Sequence, residues 1–117
     1  MFLPRRRKKA NTDKSGDVRS HGHLQFVRGF ECSASESDSG SCSGKIEAHH
    51  IRVGSNAGAD RKPGDDKTVP LCSFHHTQFH NMGHHSFERR HKLNLSDIAR
   101  AIWSASRHRI KWEADHE

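Results

Sequence analysis

Apolar residues are sparse along this chain and come in short bursts, and the spacing within each burst predicts an element. "HLQFVRGF", 23–30, alternates weakly between apolar and polar positions and predicts a strand leading into the domain. "KIEAHHIRV", 45–53, predicts a second strand, and "TVPLC", 68–72, a short return strand. Between them "GSNAGADRKPGDDK", 54–67, is rich in glycine and reads as a loop. From Ser73, "SFHHTQFHNMG" predicts a helix with Ser73 as N-cap and Gly83 as its stop. Ser86 is expected to cap a short helix, "FERRHKL". Ser96 is expected to cap another, in which Ile98, Ala101, Ile102 and Ala105 recur at i, i+3, i+4 and i+7.

The polar stretches complete the outline. Residues 1–20 are basic and Gly/Ser-containing and read as a disordered arm. "ECSASESDSGSCSGK", 31–45, is nearly all small and polar, with a cysteine near each end. Such a segment has no apolar reason to order. Residues 21–107 then form one domain, with 108–117 as a tail. The fold class expected is α+β: strand, loop, strand, helix, then C-terminal helices as packing.

Composition sharpens this picture. Only 31% of the 117 residues are hydrophobic, so the core is thin and calls for a staple. Lys plus Arg number 20 against 14 Asp plus Glu, a net charge of +6 that favours a polyanionic partner such as DNA. No apolar run approaches a membrane span, and "MFLPRRRKKANTDKSGD" has no apolar signal region, so the expected compartment is the cytoplasm. Three cysteines in a reducing compartment argue for a metal site or plain thiols rather than a disulfide framework.

Histidine carries the chemistry. There are twelve, clustered between His49 and His91. On a helix, residues three or four apart share a face. His76 and His80 can therefore chelate one metal, while Cys72 and His75 share another. Cys32, Cys42, Cys72 and His75 make a four-ligand set suited to a structural Zn²⁺ that would order the polar loop. One of the pair His49 and His50 would complete the His76/His80 set as a third ligand, leaving open positions for a phosphate oxygen and water. The other would serve as base, since an imidazole titrates near neutrality. Arg52, Arg61 and Lys62 are candidates to hold phosphate. His21, His23, His84, His85, His108 and His116 lack partners at readable spacing and read as surface residues, and His91 as a packing residue.

"IEAHHIR", then a Gly-rich loop ending "KPGDDKTVPLC", then "HHTQFH" resembles the HNH endonucleases of the ββα-metal fold, and more narrowly the small HNH-like nucleases of phages and prophages. The likeness runs from about His23 to Ala99, with "FERRHKLNLSDIA", 87–99, fitting as well. It implies a catalytic His50 as general base, with His49, His76 and His80 on a catalytic divalent metal. Mg²⁺ or Mn²⁺ is the first expectation for that metal, Zn²⁺ or Ni²⁺ the second. It also implies that Asp65 supports the loop that orders the two strands, and that a recombination or phage protein is a conceivable partner. The function expected is metal-dependent hydrolysis of DNA phosphodiesters. The alternative is a zinc-stabilised DNA-binding module without catalysis.

Overall fold

The computed structural model describes residues 17–52 and 62–116. Most of the expected arm and residues 53–61, Arg61 among them, lie outside the described residues. The elements run α1 (His21–Arg28), α2 (Ser35–Asp38), a 3₁₀ turn (Ser39–Ser41), β1 (Ile46–His50), β2 (Thr68–Cys72), α3 (Ser73–Met82), α4 (His84–His91), α5 (Leu95–Ala105) and α6 (Arg107–Asp115). The α+β class is observed: among the described residues, a small two-stranded antiparallel sheet is surrounded by six helices. None of these helices is long and apolar enough to cross a membrane.

β1 and β2 pair with Ile46 opposite Cys72, His49 opposite Val69 and His50 opposite Thr68. All five residues of β2 are buried, so β2 is the central element. Val69 and Leu71 pack with Ile51, Phe87, Leu95 and Ala99, and with Cys32 and Ala34 from the polar loop. A single Phe87 side chain, fully buried, contributes on the order of 3 kcal/mol. Two strands alone would not be stable in water, and the helices on their surface supply the missing burial.

Three expectations are corrected. The segment 23–30 is not a strand: α1 covers it from His21 to Arg28. Ser20 caps that helix by accepting from the His23 amide at 3.2 Å. His23 and Val27, one helical turn apart, form its buried face. The weak alternation was too short to outweigh that i, i+4 pair. His23 is accordingly not a surface residue: it is 0% exposed and packs edge-on against Trp103. The segment 108–117, expected as a tail, is helical to Asp115 and starts from a buried Ser106 whose hydroxyl accepts from the His108 amide. It has no buried residue of its own, and Ile110 is 62% exposed, which is why periodicity gave no sign of it.

Helix starts also shift. Cys72, not Ser73, caps α3. α4 begins at His84, before Ser86. Asn94, not Ser96, caps α5, its side chain accepting from the Asp97 amide at 3.1 Å.

Candidate metal centres

The turn from β2 into α3 builds the first centre. Cys72 ends the strand in an extended conformation, and its Sγ accepts from the His75 amide at 3.5 Å in the first turn of the helix. Backbone ties then bring both ends of the polar loop to this turn. The Ser33 amide and hydroxyl each donate to the Pro70 carbonyl at 2.8 Å, and the Phe74 amide donates to the Ser43 carbonyl at 3.3 Å. As a result Cys32, Cys42, Cys72 and His75 offer ligand atoms that all lie within 4.8 Å of one another. The His75 Nδ1 sits 3.5 Å from the sulfurs of Cys32 and Cys42 and 3.2 Å from that of Cys72. Its other nitrogen, Nε2, faces the Asp38 carboxylate at 3.0 Å. A carboxylate behind a histidine is the usual support for a metal ligand, because it holds the far N–H and turns the lone pair inward.

The electrostatics fit a cation. Burial pushes the Cys42 thiol up to about 12, helped by its two cysteine neighbours. Burial also raises Cys32, with the nearby Cys72 adding to it. Cys72 goes the other way: burial would raise it, but hydrogen bonds from the His75 and Ser43 amides and the His75 ring bring it down to about 6. So one thiolate is already favoured by the helix start, and two more are opposed by burial and mutual repulsion. A divalent ion relieves that opposition. This Cys3His group can hold a metal such as zinc.

The second centre lies one residue further along α3. His76 and His80 share a helix face, and their Nε2 atoms are 3.0 Å apart. The His49 ring approaches from β1, with ring centroids 4.5 Å from His76 and 5.2 Å from His80. One ligand atom from each of the three lies within 4.8 Å of the others. Glu47, two residues before His49 and so on the same strand face, hydrogen-bonds the His76 Nδ1. The Nε2 lone pair of His76 then points into the group.

His49 is 5% exposed, and its Nε2 is buried with no hydrogen-bond partner among the described residues. Burial, followed by the neighbouring His76 and His80, lowers its pKa to about 3, so the ring is neutral and ready to donate a lone pair. A buried imidazole nitrogen without a partner is costly. A metal ion at the meeting point of the three rings would remove that cost. His80 is exposed, so this centre reaches solvent.

His50 does not join the three-ring group. Adjacent strand residues face opposite ways, and the His50 Nε2 instead lies 2.8 Å from the Asp65 Oδ1. Asp65 is 4% exposed and also accepts from the Ser20 amide at 2.8 Å. Burial would raise its carboxyl pKa, but the hydrogen bonds from His50 and the Ser20 amide bring it net below the ordinary range. Arg52 and Lys62 are exposed on either side of residues 53–61.

The two carboxylates behind the ligand histidines, Asp38 and Glu47, were missed in the sequence. Strand alternation pointed to Glu47, which shares a face with His49. Nothing singled out Asp38 among the acids of the polar loop. His91 is buried between Ser37 and Gln78, each 2.7 Å from one ring nitrogen, and pins that loop to α3 and α4. Compared with family models, curated proteins and solved structures, the chain matches none.

Proposed function

We propose that this protein is a metal-dependent endonuclease that hydrolyses DNA phosphodiesters, with β1, β2 and α3 as an HNH-type ββα-metal core. The observation that carries this reading is the meeting of His49, His76 and His80, with a buried nitrogen on His49 that has no partner among the described residues, next in the chain to a histidine paired to a buried carboxylate. A module that only binds DNA has a use for the Cys3His staple but none for this second set.

His50 takes a proton from the attacking water. Arg52 and Lys62 hold the phosphate backbone in place, and the net charge of +6 draws the polyanion in. Glu47 keeps the His76 ring turned toward the group. A divalent cation held by His49, His76 and His80 would supply Lewis-acid stabilisation of the charge that develops on the phosphate and the leaving oxygen. Three nitrogen donors suit Zn²⁺ or Ni²⁺ better than Mg²⁺, which prefers oxygen. A metal at the first centre, on Cys32, Cys42, Cys72 and His75, would hold the fold and take no part in the chemistry.

Supercoiled plasmid is the test substrate. The protein is expected to nick it with a divalent metal present and to stop when chelator is added. Absence of cleavage with Zn²⁺, Ni²⁺, Mn²⁺ and Mg²⁺, alongside intact DNA binding, would favour the binding module instead.

A further inference from the structure

The segment before α1 docks against residues 62–65, just ahead of β2. The Asp65 amide donates to the Val18 carbonyl at 2.8 Å, and the Ser20 amide donates back to the Asp65 Oδ2 at 2.8 Å. The Arg19 guanidinium donates to the Pro63 carbonyl at 2.8 Å and to the Lys62 carbonyl at 3.0 Å. From the other side, the Thr68 hydroxyl donates to the Asp65 carbonyl at 2.8 Å. The approach is close: a Cβ added at Gly64 would stand 3.2 Å from the Val18 nitrogen. The Asp65 carboxylate is thus clamped, with Oδ2 committed to Ser20 and Oδ1 facing His50 at 2.8 Å.

We propose that Asp65, clamped by residues 18–20, is a positioning residue that fixes His50 as its Nε2–H tautomer and leaves the basic lone pair on Nδ1. An ionised carboxylate only accepts hydrogen bonds, so the nitrogen facing it must carry the proton. A neutral imidazole has one proton, and Nδ1 is left as the acceptor. The catalytic consequence rests on the reading of His50 as the base. The tautomer itself does not.

The same geometry makes an unusual demand on Asp65→Asn. The Ser20 amide can only donate, so the carboxamide oxygen must face it. The NH₂ group then faces His50, and Nε2 must become the acceptor. Arg19 pulls the other way, but its nitrogen is 4.0 Å from Oδ1, whereas the Ser20 amide is in contact at 2.8 Å. The direct hydrogen bond decides the orientation. Asp65→Asn therefore forces the Nδ1–H tautomer in a folded protein, and the lone pair moves to the wrong nitrogen.

Asp65→Ala acts differently. It leaves the Ser20 amide without its acceptor and so destabilises the clamp, yet it leaves His50 free to take either tautomer. The two variants should rank in opposite orders: alanine less stable, asparagine less active. A residue that merely held the clamp together would give alanine the lower rank in both.

The experiment is ¹H–¹⁵N NMR of the His50 ring at alkaline pH in metal-loaded wild type, Asp65→Asn and Asp65→Ala, with melting temperatures and cleavage kinetics on the same samples. The expected result is Nε2–H in wild type and Nδ1–H in Asp65→Asn. In Asp65→Asn kcat should fall by about 100-fold or more with KM little changed, and Asp65→Ala should lose less. An Nδ1–H wild type, an Asp65→Asn that keeps Nε2–H, or an Asp65→Ala slower than Asp65→Asn would overturn the proposal. If wild type does not cut at all, the nuclease reading fails, and the ring spectra still decide the role of Asp65.

Discussion

His75 and His76 are neighbours in the chain and belong to different metal groups. The His75 Nδ1 lies within 3.5 Å of three sulfurs, while the His76 Nε2 lies 3.0 Å from His80. A helix turns by about 100° per residue, so consecutive side chains leave it in different directions. The first turn of α3 thereby joins a site suited to holding the fold together and a site suited to chemistry.

The two groups should respond differently to loss of a ligand. Cys72→Ser removes a sulfur ligand while its hydroxyl can still cap α3, and the core has few apolar residues to fall back on. Binding free energy on the order of 10 kcal/mol is coupled to folding at such sites. Cys72→Ser is expected to lose its zinc and its native circular dichroism, while His80→Ala keeps its fold and loses only the second metal. Metal content by mass spectrometry, read with the dichroism, checks both. A fully folded, zinc-free Cys72→Ser protein would contradict the staple.

Glu47 and Asp38 should each act on one centre. Removing the carboxylate behind a ligand histidine typically weakens metal binding by about 10–100-fold. Glu47→Gln is expected to show that loss in titrations of the three-histidine centre, with the cysteine centre unchanged. Equal weakening of both would mean that the carboxylate acts on the fold and not on His76.

Stability should fall in mild acid through His23. Burial, aided by nearby His108, lowers its pKa from 6.5 to about 4. Its Nδ1 lies 3.0 Å from the Ser106 hydroxyl, and its Nε2 has no partner among the described residues. Above its unfolded pKa neither state holds the extra proton, and the full stability is present. As pH drops from 6.5 toward 4, the unfolded chain takes up a proton that the folded chain refuses. The loss comes to roughly 2 kcal/mol between about pH 7 and pH 5. The metal ligands titrate in both proteins, so the difference between wild type and His23→Phe isolates this residue. Urea midpoints at the two pH values should converge for the variant more than for wild type; parallel shifts would refute the assignment.

The cap of α5 offers a simple comparison. Asn94→Ala is expected to cost about 1 kcal/mol, while Ser96→Ala is neutral or stabilising by about a few tenths, because Ser96 lies inside the helix, where alanine is the better former. Thermal melts of the two variants decide between them.

How far the sequence reached depended on the kind of pattern involved. The hairpin and α3 were legible because their apolar residues, glycines and His/Cys spacings repeat over short range. The four ligands of the cysteine group could be named because Cys72 and His75 fix one half on a helix turn. α1 was misread because its burial rests on a single pair, His23 and Val27, within eight residues. α6 left no trace because none of its residues is fully buried. The Asp65–His50 contact spans fifteen residues across a loop, and the clamp from residues 18–20 spans forty-five. No local periodicity encodes contacts of that range.

The most direct test of the nuclease reading is plasmid nicking by wild type, His50→Ala and His76→Ala, each shown to be folded and to carry zinc on its cysteines. With Zn²⁺ or Ni²⁺ supplied, wild type should cut, His50→Ala should fall by about 100-fold or more, and His76→Ala should also lose its second metal. Equal cutting by wild type and His50→Ala, or no cutting by wild type with any divalent ion, would contradict it.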